Sequence, residues 1–151
     1  MELTVLGQTV RHPIEHVEVF PAPEHVTLVR FTTDELSSVC PVTAQPDVSA
    51  VVIEYRPRKS CVESKSLKLY LWKFRDRAVF AEALAAEIAE EMMTTVQPEF
   101  VRVALTQRPR GDNFKIMRWA VSADRGKQRL RDRDHIARAN MRCRAHNSVP
   151  T

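Results

Sequence analysis

The spacing of apolar residues changes repeatedly along this chain, and the changes mark out its elements. Val26–Phe31 alternates apolar with polar or small residues, the period of a half-buried strand. Residues 33–47 lose that alternation and contain Pro41 and Pro46, so they read as a polar loop. Val48–Tyr55 is rich in β-branched residues and lies between Pro46 and Pro57, a second strand that should pair with the first as a long-looped antiparallel hairpin. From Val62 the period lengthens. Leu67, Tyr70, Leu71 and Phe74 are spaced for a helix, with Ser64 or Ser66 placed to cap its start. Phe80, Leu84, Ile88 and Met92 form an i, i+4 stripe over a second helix that should end before Pro98. Phe100–Leu105 alternates again, Phe114–Val121 does so more loosely, and Pro109-Arg110-Gly111-Asp112 between them is a turn.

The order strand, strand, helix, helix, strand, strand predicts an α+β domain: an antiparallel four-stranded sheet with two helices on one face. Such a sheet has open edges, which small proteins often close by oligomerising. Residues 1–24, with Pro13, Pro21 and Pro23 and little periodicity, are expected to be an irregular N-terminal arm of a domain spanning 1–124. Residues 125–151 are too polar for a core and are expected to be a basic C-terminal arm.

Length and composition narrow the class further. At 151 residues the chain can bury a core of its own as one domain. No apolar run approaches the ~18–20 residues of a membrane span, and Met1-Glu2-Leu3-Thr4 lacks the build of a secretory signal. A cytoplasmic protein with no membrane partner is the expectation. Cys40, Cys61 and Cys143 lie in no metal-ligand spacing, so neither a disulfide framework nor a metal site is signalled. Three isolated glycines, Gly7, Gly111 and Gly126, exclude a Rossmann turn and a phosphate loop. The net charge of +4 is a local property: Arg125–Arg144 alone carries +6, leaving −2 for the rest. That segment admits nucleic-acid binding, but without interleaved aromatics a solvated arm is the favoured reading.

The residues able to carry chemistry cluster in one region. Cys40 sits in a proline-flanked loop, either a structural thiol or a nucleophile whose thiolate Lys65 and Lys68 could favour. Asp47, seven residues on, is either a turn residue after Pro46 or a buried proton donor. Glu63, Ser64, Lys65 and Lys68 open a helix, where as bare charges they suit the dipole and a solvated face. Glu82 is one of several glutamates on the second helix.

Taken together, Ser38-Val39-Cys40-Pro41-Val42-Thr43-Ala44-Gln45-Pro46-Asp47, Val62 to Tyr70 with Glu63-Ser64-Lys65-Ser66-Leu67-Lys68-Leu69-Tyr70, and Pro109-Arg110-Gly111 closely resemble the NADPH-dependent 7-cyano-7-deazaguanine reductases in their short, single-module form. The likeness runs from about residue 4 to residue 111. It implies the tunnelling fold, whose subunits associate into barrels with active sites between neighbours. It also implies reduction of the nitrile of 7-cyano-7-deazaguanine to an amine through a Cys40 thioimide, with Asp47 as the acid and NADPH as the hydride source. Carried over residue by residue, Val62, Glu63, Ser64, Ala81 and Glu82 meet the substrate, and Ser64, Lys65, Arg110 and Gly111 meet NADPH. Positive side chains would then hold the cofactor phosphates without a glycine-rich turn.

One departure stands out. The family's Phe-His-Glu is Phe80-Ala81-Glu82 here. Alanine donates no hydrogen bond and relays no proton, so weaker binding or slower turnover is expected unless water or another residue, such as His135, substitutes. Two other readings remain open on sequence. One is a relative that adds ammonia to the nitrile, as in archaeosine formation; the other is a non-catalytic fold of this type that binds nucleic acid.

Overall fold

The computed structural model describes residues 3–109 and the backbone of the strand at 116–123. Its elements are β1 (Val19–Pro21), β2 (Val29–Val39), β3 (Pro46–Arg56), β4 (Ser60–Val62), α1 (Ser64–Trp72), α2 (Ala81–Glu91) running into a π-turn at Met92–Val96, β5 (Phe100–Gln107) and β6 (Ile116–Ala123). The protein is α+β, with β2, β3, β5 and β6 hydrogen-bonded in that order, every pair antiparallel.

Strand alternation decides which face the helices cover. Val51, Ile53 and Tyr55 of β3 stand in register with Leu105, Val103 and Val101 of β5, and all are buried. Leu67 and Tyr70 from α1, and Leu84, Ile88 and Met92 from α2 and its extension, pack into that same cluster. Both helices therefore lie on one face, α1 beside β2 and α2 over β5 and β6. Each such side chain contributes on the order of 1.5–3 kcal/mol when fully buried.

The other face holds Arg30, Glu54 and Arg102, side by side across three strands. Arg30 Nε donates to Glu54 Oε1 at 2.9 Å and Arg102 Nη1 lies 3.4 Å from Oε2, so the buried carboxylate is shared by two guanidiniums. Among the described residues no helix is long and apolar enough to cross a membrane.

Several sequence expectations need correction. Residues 33–47 are not a loop: β2 continues to Val39, β3 begins at Pro46, and only residues 40–45 connect them. The alternation was hidden by a bulge, because Thr33 pairs with Val51 but Leu36 with Ser49, three residues matched against two. Leu36 and Ser38 face inward after it, and inward Ser38 and Ser49 are polar. Pro46 is tolerated because it is the first residue of its strand. The first strand begins at Val29 rather than Val26. The N-terminal arm is not wholly irregular either, since Val19, Phe20 and Pro21 pair with Val62, Cys61 and Ser60. Phe80 is not part of the buried stripe; it is the N-cap of α2 and 58% exposed. The basic segment 125–151, with Cys143 and His135, and the turn residues Arg110 and Gly111 lie outside the described residues.

Candidate functional site

The sequence-predicted site residues fall into two groups at opposite ends of the sheet. The first group is organised by the β2–β3 hairpin. Cys40 N–H donates to the Gln45 carbonyl at 2.9 Å, and Ala44 N–H donates back to the Cys40 carbonyl at 2.9 Å. Ala44 takes a left-handed φ of 55°, the turn that returns the chain tightly from Pro41. Asp47 pairs with Ser38 in register, and its side chain is buried on the helix-covered face with Ser49 and Val51. Cys40 is half-buried. The alternation that turns Leu36 and Ser38 inward carries Cys40 toward the side that Asp47 occupies.

The edge of β2 is secured at this point by the lead-in to α2. Val39 N–H donates to the Arg77 carbonyl at 2.9 Å, and Val79 N–H donates to the Val39 carbonyl at 3.1 Å, forming a parallel bridge from Val39 to Ala78. α2 begins three residues after Ala78, with no side-chain cap and with Glu82 in its first turn. The bridge thus brings Ala81 and Glu82 to the same end as Cys40 and Asp47. Ala81 is half-buried and Glu82 exposed. β5 also ends at this end of the sheet, since Gln107 pairs with Ser49.

The second group is built on β4 and the start of α1. Val62 N–H donates to the Tyr55 hydroxyl at 2.9 Å. Burial pushes that hydroxyl up to about 12 against the lowering effect of the Val62 bond, with Cys61 adding a smaller rise, so it stays neutral and able to accept. Glu63, rather than Ser64 or Ser66, caps the helix: its carboxylate accepts from Lys65 N–H at 2.9 Å and Ser66 N–H at 2.7 Å. Ser64 and Lys68 are exposed on the first turns. The Lys65 ammonium donates to the Val5 carbonyl at 2.9 Å and to the Gln8 carbonyl.

A Glu63→Ala protein should lose about 1–2 kcal/mol of stability as a cap is removed, read as a fall in denaturation midpoint with an unchanged slope. An unchanged midpoint would mean that the cap bonds contribute nothing.

The distance between the groups follows from β3. Tyr55, which holds Val62, lies eight residues beyond Asp47 on the same strand, roughly 26 Å at ~3.3 Å per residue. One copy of the chain does not bring Cys40 and Asp47 to its own Val62, Glu63, Ser64 and Lys65. Between the groups, α1 and β2 enclose a groove of about 560 Å³. Phe31, Leu67 and Trp72 contribute to its apolar lining, and its polar lining includes the Glu35 carboxylate and the hydroxyls of Thr32, Thr33 and Ser37 at β2 as well as Ser64, Lys68 and Arg75 at α1. The α1 side of the groove thus carries two cations and a hydroxyl beside the Trp72 ring, while its β2 side carries the Glu35 carboxylate.

Sequence reasoning missed Glu18, Tyr55 and the Arg77–Val79 segment as organisers of these two ends. Glu18 and Arg77 left no periodic signal, and Tyr55 reads only as a strand residue.

The family model described as "QueF-like protein" matches residues 46–127. This chain belongs to the QueF-like family. Several relatives of this chain bear the name NADPH-dependent 7-cyano-7-deazaguanine reductase. That of Granulibacter bethesdensis is 41% identical over 115 residues, covering 72% of this chain and 75% of the relative. That of Methylocella silvestris is 42% identical over 103 residues, covering 68% and 67%. Among solved structures, a QueF-Like archaeosine synthase in the apo form superposes with a TM-score of 0.60 at 28% identity, covering 65% of this chain and 95% of that one. The family match begins at Pro46, so Asp47, β3, both helices and β5 lie inside it.

Proposed function

We propose that this protein is a cytoplasmic, NADPH-dependent nitrile reductase that converts 7-cyano-7-deazaguanine to 7-aminomethyl-7-deazaguanine. The observation that carries the reading is the meeting of Cys40, Asp47 and the α2 N-terminus at one end of the sheet, in a chain whose relatives of about 40% identity bear that enzyme's name. The thiolate of Cys40 adds to the nitrile carbon, and a proton from Asp47 goes to the nitrogen, giving a thioimide. Addition turns a poor hydride acceptor into a better one. NADPH, when bound, supplies hydride; the conversion of nitrile to amine takes up two hydrides and two protons, hence two NADPH for each amine formed. Glu82, exposed at the mouth of the site, is placed to accept from the adjacent N–H groups of the guanine-like edge.

The separation along β3 supports a site completed between copies. We infer that the tunnelling fold closes into a barrel in which one copy's Cys40–Asp47 end meets a neighbour's Ser64–Lys65 end. Barrel closure satisfies the open edges of β2 and β6. The groove at α1, with Ser64, Lys68 and Arg75, fits the phosphates and a ring of a nicotinamide dinucleotide without any glycine-rich turn.

The reading is tested by mixing the protein with 7-cyano-7-deazaguanine, measuring intact mass for a Cys40 adduct, and then following NADPH absorbance. Adduct and oxidation of two NADPH for each amine are expected. An adduct without NADPH loss would move the protein to the amidine-forming reading, which the archaeosine synthase superposition and Ala81 favour. No adduct at all would remove both chemistries.

Ala81 offers a gain-of-function test. Restoring a histidine, Ala81→His, should raise kcat/KM about tenfold, the worth of one added hydrogen bond. An unchanged kcat/KM would mean that the site already supplies that contact by other means.

A further inference from the structure

The N-terminal residues are folded tightly onto the lysine that the proposed function assigns to the cofactor. Thr4–Gln8 forms a turn in which Gln8 N–H donates to the Val5 carbonyl at 3.2 Å and Gly7 takes a φ of +78°. Glu18 pins the turn from below. Its Oε1 accepts from Thr4 N–H at 2.8 Å, and its two oxygens accept from Val5 N–H at 3.1 and 3.2 Å. The Thr4 hydroxyl donates to it as well. Glu18 is itself fixed to α1 and its cap: its N–H donates to Ser66 Oγ at 2.8 Å, and its carbonyl accepts from Glu63 N–H at 2.8 Å. Val5, 3% exposed, plugs into the body of the protein. Burial raises the Glu18 carboxyl, but the bonds from Thr4 and Val5 and the nearby Lys65 outweigh it and hold the group below the usual carboxylate range.

The outcome is that two carbonyls of the turn, from Val5 and Gln8, converge on the Lys65 ammonium. Backbone carbonyls are weaker partners for an ammonium than phosphate oxygens, whose bonds are charge-assisted from both sides. Ser64 and Lys68 stay exposed while Lys65 is half-buried. We propose that Thr4–Gln8 is a strap that holds Lys65 on its own carbonyls and yields it to the phosphates of a nicotinamide dinucleotide, so that strap closure and cofactor binding compete. The proposal rests on the cofactor reading above and assigns its regulation to the chain's own N-terminus. A competitor that must be displaced lowers apparent affinity by the fraction of molecules in which it is open.

Two substitutions loosen the strap and leave the Lys65 side chain itself in place; Gly7→Val does so without changing any charge near it, whereas Glu18→Gln also removes a neighbouring negative charge. Gly7→Val puts a β-branched residue at a φ it resists, in open space where nothing else clashes. Glu18→Gln keeps the shape but removes the charge that gathers the turn. NADPH dissociation constants are measured by fluorescence titration for the parent and both variants. Amide exchange at residues 4–8 is followed in the parent with and without NADPH.

The expected result is several-fold tighter binding in both variants, and faster exchange at residues 4–8 when NADPH is added to the parent. Equal or weaker binding in both variants, or a strap that becomes more protected on adding NADPH, would overturn the proposal while leaving the cofactor reading intact. Absence of NADPH binding in all three proteins would overturn the cofactor reading, and the strap with it.

Discussion

A Cys40→Ala protein forms no adduct with 7-cyano-7-deazaguanine and consumes NADPH at least about 10³-fold more slowly than the parent. The expectation rests on how the thiol is placed. Cys40 is half-buried at the end of β2, held through Gln45 on one side and, one residue earlier, through Arg77 and Val79 on the other. Cys61 cannot replace it. It is 4% exposed, sits in β4 opposite Phe20, and lies next to Val62 at the far end of the sheet. The measurement is intact mass for the adduct and the absorbance of NADPH for turnover. Oxidation at the parent's rate in Cys40→Ala would exclude the covalent route, because no other described thiol shares that end of the fold.

The second large effect belongs to Asp47. An Asp47→Asn protein should keep its fold but form the thioimide about 10²–10⁴-fold more slowly, the usual span for loss of a positioned acid. Asparagine fills the same space and keeps a polar group at a position only 7% exposed, so the thermal midpoint is the control for folding. Asp47 is cross-strand from Ser38, two residues before the thiol, and it points to the covered face of β3. A carboxyl placed there can deliver a proton to a nitrogen whose carbon the sulfur attacks. Adduct formation at the parent's rate with Asp47→Asn would assign the proton to water or to another group.

Much of this was legible in the residues, and the failures share a cause. The two helices were readable because Leu67, Tyr70, Leu84 and Ile88 fall at helical spacing and all four are buried. β3 was readable because Val48–Tyr55 is rich in β-branched residues between two prolines, and Val51, Ile53 and Tyr55 form its buried face. The continuation of β2 was not readable. A one-residue bulge shifts its alternation, and the inward positions that follow include Ser38, opposite a buried Asp47, where a hydrophobic pattern is absent. Polarity in that stretch belongs to inward-facing strand positions rather than to a loop. The pairing of β1 with β4 was equally hidden, because three residues are too few to show a period and Pro21 suggests a break.

The candidate site was legible by residue type but not by place. Motif order along the chain says nothing about which end of a sheet each motif reaches. Cys40 and Asp47 were readable as neighbours because a hairpin joins them. Ala81 and Glu82 join them only through the Val39–Ala78 bridge, a backbone contact with no side-chain signature. Glu63, expected to meet the substrate, also caps α1, its oxygens accepting from the backbone of Lys65 and Ser66. Arg110 and Gly111 lie outside the described residues.

The length of β3 has a kinetic consequence. With the thiol at one extremity of that strand and the lysine-bearing helix at the other, the proposed assembly leaves a solitary molecule with half of each of two catalytic centres. Specific activity should then fall steeply as the protein is diluted through its association constant and recover with a lag on reconcentration. A rate strictly proportional to enzyme over a thousandfold titration would instead show that each molecule works alone.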